Sequence, residues 1–294
     1  MSSFVKLMKP KINRFLNSVY LLQRNGLTRL AIIVAILLVL IAIFGPVFLP
    51  TVSEVNNMAD SSASLLPPSG EHWFGTDELG RDLFLRVMLG TRISLSAGVI
   101  TIAAATAIGV ALGSAAGFFG GLLDDVIMRI TDMFLGFPSL LLAMAIAAFM
   151  GPSLRNALIA CIISWWPSYT RIVRNQAISV REKQFVKASV AIGAPPRFII
   201  LKHIIPNCLA PVIVQVSLDI GNVIMTLASL SFLGLGAQSP TPEWGLLVST
   251  SRNYFLNAWW YTIFPGLAIF ITVLVFNLIG DGLREIFDPR TRKN

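Results

Sequence analysis

The chain has 294 residues, of which 55% are hydrophobic and only 13% charged, with a formal net charge of +8 and a mean hydropathy of +0.73. Water-soluble domains carry about 25% charged residues, so this composition excludes an ordinary soluble globule and makes the bilayer the solvent. The positive charge does not mark a nucleic-acid partner, because no basic patch is interleaved with aromatic residues; membrane lipid is the expected surrounding. The two cysteines, Cys161 and Cys208, lack metal-ligand spacing and imply neither a disulfide framework nor a zinc site.

Residues 1–29 form a polar tail with Lys6, Lys9, Lys11, Arg14, Arg24 and Arg29. The apolar run that follows is longer than a signal-peptide core and lacks a small-x-small cleavage site, so it reads as a retained span. A helix needs roughly 20 apolar residues to cross the hydrocarbon, and six segments approach that length. The first is 30–49, ended by Pro46 and Pro50. Residues 50–92 form an external loop, with Pro67, Pro68 and Gly70 as turn signals and Asp77, Arg81 and Asp82 as an ion-paired turn before the next span.

A core region over 93–283 holds the other five spans. The second lies within 93–123, where Gly109, Gly113 and Gly117 recur every four residues and allow close helix packing. Asp124, Asp125, Arg129 and Asp132 follow as a solvated or ion-paired cytoplasmic cluster. The third span covers about 133–149. The fourth, about 156–174, is interrupted by Arg171, and Trp165, Trp166 and Tyr169 suit an interfacial belt. The fifth covers about 209–235 and the sixth about 259–280, before a tail at 284–294. An N-terminus inside the cell puts 18 Lys and Arg on the cytoplasmic side and 5 outside. This asymmetry predicts six spans with both termini cytoplasmic.

The cytoplasmic segment between the fourth and fifth spans is too long for a simple turn. Residues 182–192 carry helical spacing, Gly193 stops that helix, and Pro195-Pro196 prevents its resumption. A second helix, 197–205, is expected to end before Pro206. A helix-turn-helix on the membrane surface is built to seat in a partner's groove.

This segment, 182–206, resembles the EAA loop of binding-protein-dependent ABC importer permeases. Lys187, Ala188 and Ser189 occupy the Glu-Ala-Ala positions, Gly193 is the glycine, and His203, Ile205 and Pro206 form the closing motif. Lys187, Ser189 and His203 depart from the usual residues there. His72-Trp-Phe-Gly-Thr-Asp-Glu-Leu-Gly-Arg-Asp82, Phe232-Leu-Gly-Leu-Gly-Ala-Gln, Pro242-Glu-Trp-Gly245 and Phe276-Asn-Leu-Ile-Gly-Asp-Gly-Leu-Arg284 with Asp288-Pro289 narrow the resemblance to the "C" subunits of the dipeptide, oligopeptide and nickel permeases.

The resemblance implies an all-α integral membrane protein, a MetI-like bundle of six transmembrane helices, in the cytoplasmic membrane of a prokaryote. It implies a homologous "B" permease as partner, two ABC ATPase subunits docked on the EAA loops, and an external substrate-binding protein. Peptides are the implied cargo, with nickel, a metallophore complex or glutathione as alternatives. ATP and Mg would be bound by the partner subunits. Consistent with that division, the sequence contains no G-x-x-x-x-G-K-[ST] loop and offers no catalytic or metal-ligating set.

Three further residues stand out. Asp219 lies inside the fifth span, where a carboxylate is costly and points to a place on the translocation path. Glu243 and Trp244, in a proline-flanked external segment, are expected at the external mouth. His203 is expected to pack or cap rather than ligate a metal, and His72 is assigned no metal role. An ion-coupled secondary transporter is the competing class, but it usually shows broken span pairs or several buried charges, and Asp219 is the one evident here.

Overall fold

The computed structural model of the chain describes residues 26–287. The charged tail positions up to Arg24 and the Asp288-Pro289 pair lie outside them. Among the described residues the fold is helical, with no strands.

Helix α1 (Gly26–Phe48) is apolar on all sides, yet only Thr28 and Ala31 are buried. Leu30, Ile36 and Ile43 remain more than half exposed. An apolar helix left uncovered by protein belongs in lipid. It passes Pro46 before stopping, because one missing amide in a last turn removes little. A capping box at Thr51, with Glu54 bonded back to it, then starts the short helix α2 (Val52–Asn57).

Helix α3 runs from Leu83 to Phe119, 37 residues, or about 55 Å at 1.5 Å per residue. It starts well before the expected 93. Arg86 and Arg92 look like a boundary in sequence, but Arg86 is 4% exposed and bonded to buried Asp77 at 2.5 Å. A neutralised arginine does not end a helix. Asp82 caps the start, accepting from the Leu85 amide at 2.9 Å.

The third span is not straight. Helices α4 (Gly121–Leu135) and α5 (Ser139–Met150) meet at 89°. Pro138 disfavours a helical conformation at Phe137, which forces the break. The apolar run 133–149 thus straddles a corner.

Helix α6 (Leu154–Arg181) starts at a Ser153 cap and continues past the expected end at 174. Arg174 is bidentate to Asp124, with Nε to Oδ1 at 2.9 Å and an Nη to Oδ2 at 2.5 Å. Arg171 meets Asp132 at 2.6 Å. The acidic cluster on α4 therefore pairs with α6.

Helix α7 (Gln184–Ala191) is followed by α8, Pro196–Phe232. The expected stop before Pro206 does not occur. A π-helical turn over Ile200–Ile204, with the Ile205 amide donating to the Ile200 carbonyl, brings the chain to Pro206 in a register that tolerates a missing amide. The second coupling helix and the fifth span are one rod. A short helix α9 (Trp244–Ser251) precedes α10 (Trp259–Phe287).

Helices α1, α3, α8 and α10 are long and apolar enough to span a membrane, and the bent α4–α5 pair makes a fifth. Helix α6 has 28 residues and packs along α3, with its arginines at 171 and 174 paired. It completes the bundle as the sixth. The α3–α6 seam is close because glycines line it. A Cβ on Gly109, Gly113 or Gly117 would come within 2.3, 2.5 or 2.6 Å of α6 atoms. The core follows this seam through Ala105, Ala157, Ala160, Tyr169, Val173 and Ala177, all fully buried.

Candidate functional site

Three features are candidates for function: the helical turn between α7 and α8, a half-open cavity among the helices, and a cap over α3 and α10.

At the cytoplasmic turn, Gly193 has φ of +78°. Its amide donates to Val190 at 2.9 Å and the Ala194 amide to Ser189 at 3.1 Å, a Schellman ending that needs a left-handed residue. A Cβ there would meet nothing within 4 Å. The requirement is thus backbone conformation, not space.

Val186 is buried and pins α7, while Phe185, Val190, Ile192, Phe198 and Leu201 stay exposed. Lys187 and Ala188 are exposed as well, as is Pro206; Ile205 is half-buried. Lys187 Nζ lies 2.8 Å from Glu182 Oε2, and this contact holds the Glu182 carboxyl below the usual carboxylate range.

Two departures from the EAA pattern face each other. The Ser189 hydroxyl lies 3.4 Å from His203 Nε2, and the His203 ring sits between Phe185 and Phe198, each centroid 5.7 Å away. His203 therefore packs α7 on α8. Sequence alone placed both residues in the motif but did not pair them.

The second place is a cavity of about 480 Å³ beneath the α4–α5 corner, where Phe134, Trp165, Ser168, Asn222 and Ser229 join Asp219 and Gln215 on its wall. Asp219 is 7% exposed. It accepts from the Tyr169 hydroxyl at 2.9 Å and from Gln215 Nε2, 3.0 Å from each oxygen. Among the described residues, no Lys, Arg or His lies within salt-bridge distance of it.

The third place is the cap over α3 and α10. Asp77 is fully buried and takes Arg81 Nε at 2.7 Å as well as Arg86. Arg81 also reaches Asn56 at 3.1 Å, and His72 Nδ1 meets Asp82 at 2.8 Å. Tyr261 bonds Glu78.

Glu243 and Trp244, expected at the external mouth, are instead 2% and 1% exposed. Glu243 caps α9, accepting from the Gly245 and Leu246 amides at 3.0 and 2.9 Å. Trp244 Nε1 donates to the Val87 carbonyl at 2.9 Å. Pro240 and Pro242 mimic a surface loop in sequence; here they lead into a short helix folded into the cap. Glu78 and Tyr261 were missed because they lie 183 residues apart along the chain, and Arg86 because it stands on the helix beyond the turn that holds its partner Asp77.

An all-helical bundle of apolar membrane-length helices, with a cavity of mixed polar and apolar wall among them, is the architecture of an integral membrane permease. Residues 109–293 match the family model described as "Binding-protein-dependent transport system inner membrane component", and the chain belongs to that family. It is 48% identical over 272 residues to the probable D,D-dipeptide transport system permease protein DdpC of Escherichia coli (strain K12), covering 92% of this chain and 90% of that one. It is 46% identical to the dipeptide transport system permease protein DppC of Alkalihalophilus pseudofirmus, covering 92% and 88%. The glutathione transport system permease protein GsiD of Pectobacterium atrosepticum is 42% identical, covering 87% and 85%. An inward-facing structure of the MetNI methionine ABC transporter shares the fold, with a TM-score of 0.57, 17% identity, and 70% of this chain on 98% of that one.

Proposed function

We propose that this chain is the "C"-type permease subunit of an ATP-driven importer for di- or oligopeptides. It pairs with a homologous "B" permease. Two ABC ATPase subunits, which bind the ATP and Mg, dock on the α7–α8 turn, and an extracytoplasmic binding protein delivers the cargo. Both termini are placed in the cytoplasm in this reading, supported by the 18-to-5 distribution of Lys and Arg.

The observation that carries this reading is the cytoplasmic turn itself. Val186, Ile199 and Ile204 anchor it, and Ile192 and Leu201 remain 83% and 67% exposed. Exposed apolar side chains on a short rigid helix fit insertion into a groove on another protein. Because α8 continues unbroken into the bundle, a push on the turn reaches the cavity wall directly. Binding of ATP would draw the two turns of the complex together and reorient the bundle from inward-open to outward-open.

Peptide cargo is supported by the two relatives named for dipeptides. Glutathione, itself a peptide, is the second reading, supported by the relative named for it.

The test is purification of the chain from mild-detergent membranes with mass spectrometry of what accompanies it and an ATPase assay. Co-purification of a second permease and a P-loop ATPase, with peptide-dependent hydrolysis, is expected. A chain that purifies alone even after crosslinking would overturn the proposal.

A further inference from the structure

A carboxylate inside a membrane bundle normally finds a cation or a full set of donors. Among the described residues Asp219 has no cation beside it. Its partners are the neutral groups Tyr169 and Gln215, with the Asn222 amide also at the carboxylate. Asp219, Gln215 and Asn222 all line the cavity, so the uncompensated carboxylate borders it. That cavity, about 480 Å³, falls within the usual range for small-molecule sites, about 300–1,000 Å³.

The rest of the wall defines the ligand. Ser164, Ser168, Asn222 and Ser229 supply neutral polar groups, and Trp165 supplies an aromatic surface. A divalent cation takes several oxygen, imidazole or thiolate ligands. One carboxylate among hydroxyls, an amide and an indole suits a single organic ammonium instead. The carboxylate takes its charge, an aromatic face adds cation–π attraction, and the hydroxyls and amides accept or donate to the peptide groups beyond it.

We infer that Asp219 and the cavity around it form a transit site that holds the protonated amino terminus of the cargo on its way through the permease. This rests on the importer reading above. One monodentate charge makes the hold selective but weak, as transit requires. Tyr169 and Gln215 hold the carboxylate in place at the cavity wall.

The experiment uses the chain purified with its partner subunits and without the binding protein, so that delivery does not enter. Ser229→Cys places a thiol on the cavity wall, and its rate of labelling by a small thiol reagent is followed. Alanyl-alanine is expected to slow labelling in a saturable way, and N-acetyl-alanyl-alanine to leave it unchanged. Asp219→Asn should raise the half-protecting concentration by about tenfold or more, the effect of losing one charge-assisted hydrogen bond. Asp219→Glu should retain protection.

Equal protection by both peptides, protection that survives Asp219→Asn, or a Glu variant as ineffective as the Asn variant would each overturn the site. ATP-driven uptake of alanyl-alanine by the same complex, reconstituted with the binding protein, separates the two claims. Uptake without protection sinks the transit site alone. No uptake of any peptide, with ATP still hydrolysed, sinks the cargo reading and the site with it.

Discussion

At the scale of single residues, the cytoplasmic turn depends on one backbone angle. Gly193 sits at φ +78° with open space around its Cα. Asparagine tolerates that region and β-branched residues do not. Gly193→Asn is therefore expected to keep most of the peptide-stimulated ATPase activity of the complex, while Gly193→Val loses most of it. Equal loss in the two variants would show that the docking partner occupies the space above the glycine. The cap makes a sharper demand. Asp77→Asn would leave Arg86, 4% exposed, without its counter-charge and Arg81, 3% exposed, with only the Glu78 carboxylate at 3.5 Å, and Arg86 Nε already lacks a partner. Breaking a buried pair costs about 3–5 kcal/mol, so the melting temperature of the purified complex should fall on the order of 10 °C. At this scale the sequence was readable where one residue type has one use. Gly193 and the Pro195-Pro196 pair announced a helix stop. His203 could be placed in the motif but not against Ser189, and Glu243 could not be recognised as a cap, because both depend on how distant segments fold together.

At the scale of elements, close seams and paired charges hold the bundle. On the α3–α6 seam, a methyl on Gly113 would sit 2.5 Å from the Thr170 carbonyl, and a backbone atom cannot rotate away. Gly113→Ala should destabilise by about 1–3 kcal/mol or more through overpacking. Gly266 on α10 has nothing within 4 Å, so Gly266→Ala should be neutral, or stabilising by up to about 1 kcal/mol through helix propensity. Paired melting curves of the two variants check this contrast. The two α4–α6 ion pairs should differ as well. Arg174–Asp124 is bidentate and largely covered, whereas Arg171–Asp132 is about half exposed at both ends. Double-mutant cycles should give a coupling of about 1 kcal/mol for the first and close to zero for the second. Element boundaries were where sequence and structure diverged. Hydropathy treats every arginine as a frontier, so it cut α3 at Arg92 and α6 at Arg174. Both helices run on because Asp77 and Asp124 neutralise arginines near those cuts. The same reasoning took Pro206 for a stop, although a π-turn absorbs it, and missed the corner before Pro138, which lies inside an apolar run.

At the scale of the whole molecule, the helical membrane bundle, the helix-Gly-helix turn and the family were legible in the sequence, since each rests on composition or a local motif. The cavity was not, because its wall comes from four separate helices. The length of α3 now takes on a further meaning. One end is fixed in the cap through fully buried Leu83. At the other, the Phe118 carbonyl accepts from an Arg181 Nη at 2.9 Å, close in sequence to the α7–α8 turn. Such a rod acts as a lever. Pivoting by about 10° at its midpoint would swing each tip by about 5 Å, given roughly 1.5 Å per residue over its length. A small tilt at one face of the bundle would thus be felt, undiminished and in the opposite direction, at the other.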